Sequence, residues 1–249
     1  MPTFLFLAAI CLLVAASILL QTDASPRKKP KLEKGPSSSG NAESTPGLTL
    51  ENQWVSAAPD VKLAHIGPKQ LIAQHNGEIE AHRSVRAELP ILTENLGTFY
   101  YEMKILEKGK DEGVFIGLST IEMPLSDTHV GYYNGTYGYA SDGTIWGHEV
   151  AGCSHWGYGR RPYIIGNHKF VVDDVVGCGM DLATRKMFYT INGECLETAD
   201  LLVDPAANLS NLFPCVSLWT PDDKIVANFG PDFKFKFTAD GIVKKRGDL

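Results

Sequence analysis

The side chains in this sequence with the widest catalytic and metal-binding chemistry are its histidines and its paired carboxylates. The seven histidines lie in segments that we expect to be loops, and none stands at metal-ligand spacing on a predicted element: His65, His75, His82, His129, His148, His155 and His168. Solvated or core histidines are therefore favoured over general bases or metal ligands. The carboxylate pairs Asp173–Asp174 and Asp222–Asp223 fall at expected turns, where Asp stabilises a chain reversal. These residues predict no catalytic centre.

Short motifs of the common enzyme classes do not occur in the sequence. It contains no GxSxG of serine hydrolases, no GxxxxGK phosphate loop, no HExxH zinc motif and no GxGxxG after a predicted strand. It also contains no CxxC pair, so we expect no structural zinc site and no other metal or cofactor. We predict that the chain is not an enzyme. An extracellular enzyme whose site is assembled from distant loops is the alternative.

Four cysteines follow the first 24 residues, and a secreted protein could pair them in three ways: Cys153, Cys178, Cys195 and Cys215. Cys178 and Cys215 lie in apolar runs, where a free thiol packs as a small hydrophobic side chain. We therefore expect all four to be reduced.

A tract rich in glycine and aromatic residues is the most distinctive part of the sequence. Seven aromatic side chains fall within 27 residues: Tyr132, Tyr133, Tyr137, Tyr139, Trp146, Trp156 and Tyr158. Their spacing is too irregular for the inner face of one strand. Tyr and Trp provide large contact areas at small rotamer cost and are enriched in binding hot spots. We expect about half of these rings to fill the core and the others to form a binding surface.

The elements that must position this tract are strands. From Thr49 onward, short β-branched or aromatic runs alternate with Asn-Gly, Asp-Gly and Pro, which predicts an all-β, two-sheet sandwich. In Thr98–Leu106 the alternation places Phe99, Tyr101, Met103 and Ile105 on one face, and Tyr100, Glu102 and Lys104 on the other. Residues 174–182 and 186–191 read as a hairpin, followed by a turn at Asn192-Gly193. Residues 213–218 and 224–229 look like a second pair of strands.

Composition and charge restrict the class of protein further. The chain has 249 residues, 44% of them hydrophobic and 21% charged, which is typical of a globular protein. The formal net charge is −6, and a nucleic-acid groove needs clustered Lys and Arg. We therefore expect no nucleic-acid partner, and one folded domain over residues 49–249.

The first 48 residues differ from the rest. Phe4–Leu20 is an apolar run followed by small residues, which predicts a signal peptide over residues 1–24, cleaved before Ser25. The basic residues from Arg27 to Lys31 favour the alternative, an uncleaved signal anchor. Residues 25–48 are nearly devoid of apolar side chains, which predicts a disordered, flexible basic linker. After leader cleavage we expect no membrane association. The linker segment PRKKPKL also resembles a nuclear-import signal.

A series of motifs in order along the chain resembles the SPRY domain, closest to the Ran-binding-protein-nine type. The match covers about residues 50 to 238, and its motifs are GTFYYEMKI from Gly97, VFIGL from Val114, VGY from Val130, YGY from Tyr137, VVGCGMDL from Val175, FYTING from Phe188, LFPCV from Leu212 and ANFG from Ala227. The resemblance implies a bent antiparallel β-sandwich that binds proteins without catalysis.

A SPRY domain behind an export leader resembles the secreted effectors of plant-parasitic cyst nematodes. The resemblance implies a monomer that is secreted and then reaches the host cell cytoplasm or nucleus. There it would bind a host protein, for which the resemblance suggests plant immune receptors of the nucleotide-binding leucine-rich-repeat class as candidates, and modulate host immunity. A nuclear or cytoplasmic SPRY adaptor is the alternative.

The resemblance also implies a partner-binding pocket built from loops at one end of the sandwich. Tyr132 after Val-Gly, and the turn Leu218, Trp219 and Thr220, match two walls of the family's pocket. The loop around residues 67–76 approximates a third wall, where Pro68 and Lys69 stand in place of the family's usual Arg and Pro pattern. These six residues are the predicted site.

Overall fold

The computed structural model describes residues 52–93, 97–109, 113–198 and 200–235. The predicted signal peptide (1–24) and basic linker (25–48) lie outside the described residues, and both stay predictions. Within the described ranges, no helix has the length and apolar character needed to cross a bilayer.

Two antiparallel sheets make up the described part of the chain, and the only helix in these residues is a short 3-10 turn, Leu209–Asn211. The first sheet contains β1 (Trp54–Ala57), β4 (Arg83–Ala87), β6 (Val114–Ser119), β7 (Tyr137–Ala140), β8 (Ile145–Trp146), β9 (Ser154–Trp156), β10 (Arg161–Ile164) and β15 (Phe213–Leu218). The second contains β2 (Val61–Ile66), β3 (Lys69–His75), β5 (Thr98–Glu107), β11 (Val175–Asp181), β12 (Lys186–Ile191), β13 (Glu194–Cys195), β14 (Leu201–Leu202) and β16 (Lys224–Asn228). The predicted all-β sandwich is confirmed.

The order of the strands differs from their order in the chain. The first sheet runs β1-β4-β15-β6-β7-β8-β10-β9, and the second runs β13-β12-β11-β5-β16-β3-β2, with β14 also paired to β12. The hairpin of β11 and β12 is confirmed. So is its following turn, where Asn192 and Gly193 have φ values of 53° and 87°. These are left-handed conformations that suit Asn and Gly in a two-residue turn.

The predicted pairing of residues 213–218 with 224–229 is wrong. β15 lies between β4 and β6 in the first sheet, whereas β16 lies between β5 and β3 in the second. The intervening residues 219–223, which we call the corner, carry the chain from one sheet to the other. Asp222 has a φ of 72° there. A hairpin and a sheet-to-sheet corner use the same turn residues, so the sequence pattern did not separate them.

The outer face of β5 is also more buried than its alternation predicted. Tyr100 and Glu102 are 2% and 3% exposed because the chain after β16 packs over them. The Tyr100 ring lies 5.0 Å from that of Phe233. The Glu102 carboxylate accepts hydrogen bonds from Asn228 Nδ2 (2.9 Å) and Lys234 N (2.7 Å). The covering segment supplies both apolar contacts and donors to a central strand.

One buried polar side chain connects the two sheets through the core. Tyr101 of β5 is fully buried, and its hydroxyl donates to Gly117 O at 2.7 Å and lies 3.0 Å from Cys215 O. Gly117 N and Cys215 N lie 3.2 and 3.3 Å from the same oxygen. Gly117 and Cys215 are cross-strand partners in β6 and β15. Buried polar groups must find such partners, because water does not reach them.

Removing this hydroxyl should weaken the sandwich. We expect Tyr101→Phe to lower the free energy of unfolding by about 1–3 kcal/mol, because the backbone groups that face the hydroxyl lose a buried partner. Urea denaturation measures this change. Tyr158→Phe is the matched control, since Tyr158 is exposed and surface changes usually stay within about 0.5 kcal/mol. Equal stability of the two variants would contradict the role of Tyr101.

Candidate functional site

Two adjoining cavities open on the first sheet, each with a volume of about 450 Å³. Both are lined by His82, His129, Asp142 and Trp146. Tyr132 and Trp156 complete one cavity, and Phe115 and Trp219 complete the other. We call this combined surface the aromatic groove. It contains two of the predicted site residues, Tyr132 and Trp219.

Ring contacts connect the two ends of the aromatic groove. The ring centroids of His82 and Trp219 lie 4.4 Å apart, and those of His82 and His129 lie 4.6 Å apart. His129 stacks on Phe115 at 4.2 Å and lies 5.4 Å from Tyr132. The histidines therefore lie between the two predicted aromatic anchors and join them into one packed surface.

Both groove histidines are neutral at neutral pH. Burial, together with smaller effects of repulsion from His129 and Arg83, lowers the pKa of His82 to about 3. Burial also lowers the pKa of His129 to about 4, against a smaller opposing effect of its hydrogen bond to Val130 O. Burial disfavours the charged form of an imidazole. The histidines between the two anchors are thus uncharged, and aromatic rings surround them.

The corner fixes Trp219 at one end of the groove. The buried Asp223 carboxylate accepts hydrogen bonds from the backbone N–H groups of Gly109 (2.8 Å), Thr220 (2.8 Å) and Trp219 (3.2 Å). Trp219 N also donates to Gly113 O (2.7 Å), and Trp219 O accepts from Ala81 N (3.0 Å). Burial raises the pKa of Asp223, while the three N–H donors oppose that rise. Both backbone groups of Trp219 are therefore held.

A glycine positions Tyr132 at the other end. Gly131 has a φ of 95°, and a Cβ there would lie 2.9 Å from Gly138 N of β7, so only glycine fits. The preceding Val130 N donates to Ser217 Oγ of β15 at 3.0 Å. Arg161 of β10 donates to Gly131 O (3.2 Å) and Thr136 O (2.9 Å). The loop that carries Tyr132 is thus bonded to two strands of the first sheet, β15 and β10.

The charged groups of the groove are acidic. Asp127 forms an ion pair with Arg83 at 3.0 Å, and Arg83 also contacts Asp60 at 2.9 Å. The Asp142 carboxylate lies in both cavities and accepts hydrogen bonds from Thr144 N (2.9 Å) and Thr144 Oγ1 (2.7 Å). Among the described residues, Asp142 forms no ion pair with a Lys or Arg. A ligand with a basic group or a hydrogen-bond donor suits this position.

The structure brings Tyr132 and Trp219 together and corrects the interpretation of Leu218. Leu218 is fully buried in the main core because successive side chains of a strand point to opposite faces. Ser217 and Trp219 share the groove face, and Leu218 faces the interior. Thr220 packs against Gly109, where a Cβ would collide with its side chain. Leu218 and Thr220 support the corner and do not line either cavity.

The predicted third wall at Pro68 and Lys69 is wrong in its location. Gly67, with a φ of 59°, and Pro68 form the tight turn between β2 and β3, so residues 69–75 are a strand and not a loop. The other end of β3 lies at the corner, where His75 N donates to Asp223 O (2.9 Å). Seven strand residues separate the two ends, which is about 20 Å.

The aromatic tract divides between core and surface. Tyr137 and Tyr139 are buried at 3% and 0% exposure, whereas Trp156 is 60% exposed. Tyr132 and Trp146 are half-buried in the groove. Fewer rings are fully buried than the predicted half, because the loops before and after β7 and β8 run along the outside of the first sheet.

Sequence reasoning missed the histidines and Asp142 of the groove. His82 precedes β4, His129 precedes the Tyr132 loop, and Asp142 lies between β7 and β8. They come together only because the strands that carry or flank them are neighbours in the first sheet, in the order β4-β15-β6-β7-β8. The one local feature of the sequence that pointed to a groove residue was the position of His129, directly before the Val-Gly-Tyr motif.

Acid should destabilise this fold through the groove histidines. The pKa values of His82 and His129 lie below the 6.5 of an ordinary histidine, so the unfolded chain binds protons first. Their contribution to stability is complete above pH 6.5 and is lost as the pH falls towards about 4. We expect His129→Gln to flatten the dependence of unfolding free energy on pH by up to about 1.4 kcal/mol per pH unit in this window. Urea denaturation at several pH values measures the slope.

Thr144→Ser is the control for this measurement. Thr144 lines the same cavity and carries no titratable group, so the substitution should keep the slope of the unmodified protein. A His129→Gln slope equal to that of the unmodified protein would contradict the neutral, buried state of His129.

Known proteins resemble this chain in sequence and in fold. The SPRY domain family model matches residues 98–232. Ran-binding protein 10 of Danio rerio is 36% identical over 195 residues, which are 76% of this chain and 28% of that protein. Ran-binding protein 9 of Xenopus tropicalis is 40% identical over 147 residues, 59% of this chain and 24% of that protein. The chain thus spans about a quarter of the length of these curated relatives.

The fold agrees with these matches. The crystal structure of a human SPRY domain superposes with a TM-score of 0.53, at 17% identity, over 70% of this chain and 99% of that domain. The family model alone covers more than half of the chain. The chain therefore belongs to the SPRY family.

Proposed function

We propose that this protein is a non-catalytic interaction module that binds a short extended segment of another protein in the aromatic groove. SPRY domains are a family of protein-interaction modules. The observation that carries the proposal is the convergence of Tyr132 and Trp219 on one groove, with the neutral rings of His82 and His129 between them. Such concave apolar surfaces with a few polar groups are the usual form of a binding site.

In this proposal, Trp219 and Tyr132 are the two anchors of the interface. Aromatic side chains in well-packed pockets dominate the binding energy of protein interfaces. Both anchors are held by backbone hydrogen bonds of their own segments, so little conformational entropy is lost when a partner binds. The neutral His82 and His129 offer ring surface without the desolvation cost of a buried charge.

The groove also indicates the chemistry of the bound segment. Two adjoining cavities suit two alternate side chains of an extended segment, because side chains two apart point to the same side. Asp142 borders both cavities and favours a basic or hydrogen-bond-donating group beside an apolar side chain. We infer a segment that combines an apolar or aromatic residue with a nearby Lys or Arg.

The cellular role that we propose is that of a secreted effector. The apolar run Phe4–Leu20 and the resemblance to exported SPRY proteins of cyst nematodes support export, followed by action in the host cytoplasm or nucleus. The partner is then a host protein, for which plant immune receptors of the nucleotide-binding leucine-rich-repeat class are candidates, and binding modulates host immunity. We propose that the protein acts as a monomer. A SPRY adaptor of the nucleus is the alternative, which the PRKKPKL segment favours.

Substitution of the two anchors should remove partner binding. We expect Trp219→Ala and Tyr132→Ala each to weaken the affinity for a captured host protein by about thirtyfold, since truncation of a hot spot costs about 2 kcal/mol or more. The partner is first isolated with the unmodified chain from host extract. Surface plasmon resonance with the purified partner then gives the affinity of each variant.

Tyr158→Ala is the matched control, because it removes an exposed ring that lines neither cavity. Its affinity should equal that of the unmodified chain. Circular dichroism and thermal melting verify that each variant folds. Unchanged affinity of folded Trp219→Ala and Tyr132→Ala would place the partner on another surface.

A further inference from the structure

We propose that Glu149, Cys153 and His155 bind a zinc ion at the β9 edge of the first sheet. Each residue offers one ligand atom, and the three atoms lie within 4.8 Å of one another. No sequence motif predicted this site. It is separate from the proposed partner contacts of Tyr132 and Trp219.

The distances between the donors fit a tetrahedral metal. His155 Nε2 lies 3.0 Å from Glu149 Oε1, Cys153 Sγ lies 3.5 Å from the same oxygen, and Cys153 Sγ lies 4.0 Å from His155 Nε2. Zinc bonds of about 2.0–2.3 Å at tetrahedral angles place such donors about 3.3–3.7 Å apart. Shifts of a few tenths of an ångström at exposed side chains bring all three into coordination.

Local structure explains why three residues of one segment converge. Cys153 N donates to Val150 O at 3.1 Å and closes a turn in which Gly152 has a φ of 84°. That turn reverses the chain direction and brings the Cys153 side chain close to that of Glu149. Cys153 and His155 are two residues apart at the start of β9, so their side chains point to the same side. A turn followed by an extended strand thus places three donors on one face.

The types of ligand favour zinc over the hard cations. Ca²⁺ and Mg²⁺ bind oxygen atoms, whereas thiolate and imidazole suit borderline and soft metals. One thiolate, one imidazole and one carboxylate make three protein ligands, which is the number found in zinc sites that keep an open fourth position. Water fills that position when no other donor is present. The donors are accessible, because the His155 and Glu149 side chains are 28% and 71% exposed.

The site has a structural consequence for the aromatic groove. β9 is an edge strand of three residues, all exposed, and it pairs only with β10 in the first sheet. Trp156 follows His155 and lines the groove from the opposite face of β9. A metal ion that joins β9 to the preceding turn would therefore hold Trp156 in place. The site would stabilise one rim of the groove without contacting the bound segment.

Metal titration of the full, reduced and metal-free chain tests the proposal. We expect one Zn²⁺ per chain in competition with a chromophoric chelator. Co²⁺ should give the thiolate-to-cobalt charge-transfer band and the intense visible bands of tetrahedral coordination. Cys153→Ser should remove the charge-transfer band. We expect Zn²⁺ binding to weaken by about tenfold or more in each of three variants: Cys153→Ser, His155→Gln and Glu149→Gln. Loss of a residue that only hydrogen-bonds a metal ligand already lowers the affinity by about tenfold or more.

Two substitutions elsewhere are matched controls. Cys195→Ser removes a half-buried thiol of β13, and His65→Gln removes an exposed imidazole of β2; both should keep the unmodified affinity and the cobalt spectrum. Thermal melting verifies that all variants fold. The proposal is overturned if the unmodified chain binds no stoichiometric Zn²⁺, if the three ligand variants bind as tightly as it does, or if Cys195→Ser loses binding equally.

Discussion

The buried carboxylate of Asp223 is the constraint on which the functional end of this sandwich depends. The chain must cross from one sheet to the other after β15, and a sharp corner leaves backbone N–H groups without strand partners. Asp223 accepts hydrogen bonds from two of them, those of Trp219 and Thr220, and from Gly109 N after β5. The hydrogen bonds that stabilise this crossing therefore also hold the Trp219 backbone at the end of the groove. Fold and site share one set of contacts at this corner.

The neutral character of the groove follows from its burial. His82 and His129 are packed among rings, so the charged imidazole is disfavoured and the pKa of each is lowered. The Asp142 carboxylate keeps access to both cavities. A groove lined by aromatic rings, neutral histidines and the carboxylates of Asp127 and Asp142 is suited to recognition of a peptide segment. The inter-sheet hydrogen bonds of Tyr101 hold the strands beneath it in register.

Sequence alone predicted the fold class, the hairpin of β11 and β12, and the family. These features depend on local signals: period-two alternation, Asn-Gly turns and ordered motifs. The errors arose where tertiary packing decides. Leu218 belongs to the core because alternation turns it inward, and the strand order separates β15 from β16 and gathers the groove histidines. Pro68 and Lys69 lie at the far end of a hairpin whose length the sequence did not reveal.

Nuclear magnetic resonance of the four tryptophan side chains tests the groove most directly. Trp54 donates its indole N–H to Leu71 O in the core, whereas Trp146 and Trp219 line the groove. When a purified partner binds the ¹⁵N-labelled chain, the indole N–H signals of Trp146 and Trp219 should shift or broaden, and that of Trp54 should stay unchanged. Saturating binding that leaves the Trp146 and Trp219 signals in place would contradict this account.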